Sequence, residues 1–152
     1  MKSNFQLLVS YLITLLIILF MPKRLNRHEF YFAFLAVSFH TIFADLLFAD
    51  ILDLYDLMKQ NGPSFSDLMV QITLPFLFGI LYLNFMPIEK KKFLLYLTFW
   101  VVFSVLYEQL SRYFGYIEYK GWKIVYSILF YIYACIFMRW HYMFIKEALN
   151  KK

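Results

Sequence analysis

The sequence predicts an all-α protein: a polytopic membrane helix bundle of five transmembrane helices, N-terminus outside and C-terminus cytoplasmic. Three observations carry this. Hydrophobic residues make up 62% of the 152 residues and aromatics 23%, with a mean hydropathy of +0.61, whereas soluble domains hold roughly 45 to 50% apolar residues. The apolar residues fall in blocks long enough to cross about 30 Å of hydrocarbon, which takes about 20 residues of helix. Short polar segments separate the blocks and carry the basic residues, which leaves residues 1–152 as a single transmembrane domain.

The first expected helix covers residues 4–21, with Gln6, Ser10, Tyr11 and Thr14 as its polar side chains. It resembles a signal peptide, but the apolar run is long and ends in Pro22, Lys23 and Arg24 without a small-residue cleavage site, so it reads as a retained helix. The second covers residues 30–52 and contains His40 and the first of four aspartates, Asp45, Asp50, Asp53 and Asp56. Turn-forming Asn61, Gly62 and Pro63 precede the third, residues 67–86, which holds Gln71, Thr73, Pro75 and Asn84. Pro75 is expected to kink it, with a neighbouring helix covering the freed carbonyl. Lys90, Lys91 and Lys92 precede the fourth, residues 93–112, which contains Glu108. An aromatic linker with Tyr113, Tyr116, Tyr119 and Trp122 suits a membrane interface and leads to the fifth, residues 122–142.

Five crossings collect Lys23, Arg24, Arg27, Lys90, Lys91, Lys92, Arg139, Lys146, Lys151 and Lys152 on one side. Lys2, Lys59, Arg112, Lys120 and Lys123 fall on the other. The positive-inside rule makes the first side cytoplasmic. The net charge of +5 therefore reads as a topology signal beside anionic lipid, and no nucleic acid partner is expected. One cysteine, Cys135, excludes an internal disulfide and argues against a cysteine-based zinc site. No phosphate loop, nucleophile elbow or dinucleotide fingerprint occurs, and no cofactor or metal is expected.

The chemistry-bearing residues lie in the outer third. At about 1.5 Å per residue, Asp45 and Glu108 both lie roughly 22 Å above the cytoplasmic ends of their helices, and His40 roughly 15 Å. A carboxylate that deep must be paired, protonated or facing water. Arg112, one turn above Glu108, is the expected partner of Glu108, Asp45 or both. Gln71 and Thr73 reach the same layer, as do Lys123, Tyr126 and Ser127. At about 100° per residue the four aspartates share one broad helical face, and His40 points away from it. Asp50, Asp53 and Asp56 read as a solvated acidic helix end or as a cation site without the glycine turn of a calcium loop. His40 reads as a packed, hydrogen-bonded residue or as a ligand. The ion-binding or ligand-binding candidates are thus Asp45, Asp50, Glu108, Arg112, Gln71 and His40.

The stretches KRLNRHEFY, ADILDLYDL, LNFMPIEKKK and LYEQLSRYFGYIEYKGWKIVYS are similar to those of a group of small, uncharacterised multi-pass membrane proteins of Gram-positive spore-forming bacteria. The resemblance covers most of the chain. It implies a bacterial plasma-membrane protein and brings no activity or catalytic residue with it. Three functions remain open. The first is a non-catalytic accessory or interaction subunit, its partners the lipid bilayer and a membrane protein or a second copy. The second is a transporter or channel-like protein taking a cation, proton or small solute at Asp45 and Glu108. The third is an intramembrane enzyme using the same acids on a lipid-like substrate.

Overall fold

The computed structural model describes residues 2–57 and 65–150. Its helices are α1 (Lys2–Phe20), α2 (Arg27–Asp45), α3 (Phe65–Phe85), α4 (Lys90–Tyr113) and α5 (Ile124–Asn150). Among the described residues these five are long and apolar enough to cross a membrane. Each expected segment falls on one of them. The expected turn at Asn61, Gly62 and Pro63, together with Lys59, Lys151 and Lys152, lies outside the described residues. Large apolar side chains, among them Leu12, Leu16, Phe39, Leu95, Phe99 and Leu129, cover the outside of the bundle. Such a surface is compatible with contact to lipid.

Helix boundaries moved where local chemistry acts. α2 begins at Arg27 because Asn26 and Glu29 form a reciprocal capping box: each side chain accepts the other's backbone N–H at 2.8 Å. Two orphan donors of the first turn are thereby satisfied. α5 continues past residue 142 through FIKEALN, a run rich in helix formers.

One end of the bundle is stapled by side chains. Asn84, 2% exposed, accepts the Arg24 N–H at 2.9 Å and donates to the Pro22 carbonyl at 3.0 Å. Arg139 donates to the carbonyls of Pro87 and Ile88 and lies over the Phe93 ring. Above these staples sits the main packed cluster, including Ala33, Phe76, Ile80, Leu83, Val101 and Met138. α2 and α3 come closest at Gly79, where a Cβ would lie 2.9 Å from Val37 Cγ2. Near Pro75, the Ser38 hydroxyl of α2 donates to the Ile72 carbonyl at 3.1 Å and ties the two helices together; the carbonyl that Pro75 itself frees is that of Gln71.

The opposite end is closed by backbone pairing. After Asp45, α2 passes into a π-helical segment, Leu46–Ile51, and Asp53 then takes φ 50°. Aspartate is one of the few side chains that tolerate this left-handed conformation. The turn carries the chain into β1 (Tyr55–Leu57), which pairs antiparallel with β2 (Ile117–Tyr119). The Leu54 carbonyl accepts three successive N–H groups, from Lys120, Gly121 and Trp122, each at 2.9 Å. Gly121 suits this approach, since a Cβ there would lie 3.2 Å from Leu54 Cδ2. The α2–α3 and α4–α5 connections are thus tied together.

Candidate functional site

A cavity of about 320 Å³ lies among α2, α3, α4 and α5, with β1 and β2 contributing to its wall. Its origin is in the packing. α2 meets α3 closely at Gly79, but α4 meets α3 through long aromatic pairs, Phe78 with Phe103 at 5.6 Å and Tyr82 with Trp100 at 5.6 Å. Bulky rings hold those two helices apart, and the space behind them remains. Asp45, Glu108, Gln71 and His40 all line it. Sequence depth alone brought the two acids to one layer, and the fold turns both to one cavity.

Glu108 is 6% exposed and fully engaged. Its Oε1 accepts hydrogen bonds from Tyr119 and from Ser127, the latter at 2.7 Å, and its Oε2 accepts from Tyr131 at 2.7 Å. Ser127 in turn accepts from the Trp122 indole at 2.7 Å. Neutral donors from β2 and α5 therefore hold a carboxylate of α4. Asp45 is held far less. Tyr55 donates to its Oδ1 at 2.6 Å, and Oδ2 has no protein partner among the described residues.

Burial raises the pKa of Tyr55 above the ordinary phenol value, and the nearby charge of Asp45, the Asp45 hydrogen bond and the charge of Glu108 add to the rise. Burial also raises Tyr119, followed by its bond to Glu108. Both therefore stay protonated at neutral pH and act as fixed donors, not as bases. The geometry favours binding over acid–base chemistry.

Three expectations are corrected. Arg112 does not pair with either acid: it donates to Gln109 Oε1 at 2.6 Å and stacks 3.7 Å over the Tyr119 ring. A planar guanidinium is well suited to that face. The aspartates do not share one helical face, because the α-helical periodicity ends at Asp45. Asp50 is exposed in the π segment, whereas Asp53 and Asp56 lie beyond it and pair with Lys120 at 2.5 and 3.0 Å. That contact raises the Lys120 pKa. His40 was expected to turn away from Asp45, yet it lines the same cavity, with Nδ1 donating to the Ala36 carbonyl at 2.9 Å and its ring 4.1 Å from that of Phe137. Thr73 bonds Tyr11 at 2.5 Å, towards α1.

Tyr55 and Tyr131 went unrecognised in the sequence, and Tyr119 and Trp122 were read only as interfacial aromatics. Among the described residues no three of His, Cys, Asp and Glu converge as a metal-ligand set. Comparison with protein-family models, with curated proteins and with solved structures finds no significant match.

Proposed function

We propose that this is a non-catalytic integral protein of a bacterial plasma membrane that binds a small molecule in the outer half of its bundle. One observation carries the reading: acids from two helices, Asp45 and Glu108, line a common cavity walled by aromatic and aliphatic side chains. A largely apolar pocket of roughly 300 Å³ or more with a few convergent polar groups is the usual form of a small-molecule site. The sheet end is assigned to the outside and the stapled end to the cytoplasm, because Lys23, Arg24, Lys90, Lys91 and Lys92 gather at the latter. Binding without conduction is favoured over transport. Beyond His40 the cytoplasmic half is filled by the packed cluster of Phe76, Ile80, Leu83 and Met138.

The test uses the full chain in nanodiscs, with Trp140→Phe so that the remaining tryptophans, Trp100 and Trp122, both line the cavity. A neutral probe, phenylbutanol, should change their fluorescence saturably. Ala134→Phe, which fills the cavity from α5, should abolish the saturable part. Binding unchanged by that substitution would place the probe elsewhere and remove the support for this reading.

A further inference from the structure

We propose that the occupant is an organic ammonium ion on a compact apolar body, its nitrogen seated against Asp45 with Glu108 as a second nearby negative charge. The inference rests on the binding reading above and adds the chemical class of the ligand.

The first support is an unmet need at Asp45. Its Oδ2 has no protein partner among the described residues, and Asp45, half-buried, lines a cavity walled mainly by apolar side chains. A half-buried carboxylate on an apolar wall favours a cation or a further donor beside it. Among the described residues, two cations of the sheet side are committed elsewhere: Lys120 bridges Asp53 and Asp56, and Arg112 is held by Gln109 and Tyr119. Among the described residues the lining thus holds two acids and no basic side chain beyond the imidazole of His40.

The second support is the wall around that oxygen. Tyr55, the donor to Asp45, packs edge-on to Trp122 at 5.4 Å, and Trp122 packs on Phe48 at 5.1 Å. All three rings line the cavity. Aromatic faces beside carboxylates attract organic cations through the ring quadrupole. A hard metal ion, in contrast, requires six or more oxygen ligands at short range, which phenyl and indole rings cannot supply.

The third support is the remainder of the space. Away from the acids the lining is Phe78, Phe103, Phe137 and Met138, with Leu74 and Val37. A volume of about 320 Å³ corresponds to on the order of ten waters at about 30 Å³ each. That suits an aryl or branched alkyl body of modest size. An ammonium of this kind has two sources, a soluble amine or the headgroup of an aminophospholipid.

The experiment compares phenylbutylammonium, phenylbutanol and phenylbutyrate on the Trp140→Phe protein in phosphatidylglycerol nanodiscs. The ammonium should bind at least about tenfold more tightly than the alcohol, a factor typical of one added charge contact, and the carboxylate should bind weakest. Asp45→Asn in the same nanodiscs should remove the ammonium preference and leave the alcohol bound. This variant also controls for amine gathering on the anionic lipid. Equal affinity for ammonium and alcohol overturns the inference and leaves the binding reading standing; no saturable binding of any probe overturns both. The charge series on the Asp45 protein decides the matter even where Asp45→Asn does not fold. Replacing part of the phosphatidylglycerol by phosphatidylethanolamine separates the sources: competition with the probe identifies a lipid headgroup, and its absence a soluble amine.

Discussion

Replacing Glu108 by alanine removes one carboxylate and strands three donors: the hydroxyls of Tyr119, Ser127 and Tyr131. Ser127 is 1% exposed, so its hydroxyl is left with little access to water. Interhelical polar contacts in membrane proteins average about 0.6 kcal/mol and reach about 1.7 kcal/mol, so three of them amount to about 2 to 5 kcal/mol. Glu108→Gln retains an oxygen that accepts from Tyr119 and Ser127 and offers an amide N–H₂ where Tyr131 now donates. The Tyr131 hydroxyl can then rotate to accept. Charge-assisted bonds are roughly twice as strong as neutral ones, so the glutamine should lose about half of what alanine loses. Tyr131→Phe deletes one bond and should cost about 0.6 to 1.7 kcal/mol.

The assay is reversible unfolding in mixed micelles, titrated with a denaturing detergent. The double-mutant cycle of Glu108→Ala and Tyr131→Phe should show coupling, because each single change breaks the same bond. A Glu108→Ala protein within about 0.5 kcal/mol of wild type, well under the sum above, would refute the reasoning. So would additive effects in the cycle. Either result would mean that the polar cluster does not hold α4 to α5.

Gly79→Leu forces atoms into the 2.9 Å approach to Val37 and should destabilise by about 1 to 3 kcal/mol, with Val37→Ala restoring part of the loss in the same unfolding assay. Asn84→Leu removes the bonds to the Arg24 N–H and the Pro22 carbonyl and should cost about 1 to 3 kcal/mol for polar groups left unpaired, read as a lower unfolding midpoint. Lys120 has its pKa raised by Asp53 and Asp56, so its contribution is fully present below the unfolded lysine value of about 10.4 and is lost as pH rises beyond it. Its clasp should therefore be constant from mildly acidic to mildly alkaline pH and should weaken with added salt. Hydrogen exchange at the Lys120, Gly121 and Trp122 amides reports it, and salt-independent protection would refute the clasp.

The helices were legible because each apolar block is long and each connection short, so the 4–21 and 67–86 segments could hardly be anything else. The shared layer of Asp45 and Glu108 was legible for a similar reason: helix rise is constant, and both helices start from the same side. Direction around the axis was much less legible. Counting at about 100° per residue fails once the chain enters a π-helix, which happens immediately after Asp45. Arg112 has the right spacing to reach Glu108, yet the Tyr119 ring and Gln109 hold it instead. Three-residue strands carry no periodicity to detect, and with them went Tyr55 and Tyr119 as partners of the acids. The asparagine cap at Asn26, with its glutamate three residues on, went unread, and the second helix was expected to begin at residue 30.

The failures around the two acids share a cause, and it lies at the cavity. Close packing at the stapled end needs small residues, and Ala33, Ser38 and Gly79 lie where α2 runs beside α3. Towards the sheet, rings replace them and the helices no longer fill the space between them. Two connections then meet across the opening and contribute what the helices lack: a phenol for Asp45, a phenol for Glu108 and an indole for Ser127. Those contacts and the three amides on the Leu54 carbonyl lie together on the sheet side. Because each phenol bonds its acid directly, movement of the paired strands changes the bonding of both carboxylates at once. On the binding reading proposed above, exchange of an occupant would be linked to the hydrogen bonding of Asp45 and Glu108 through one small sheet.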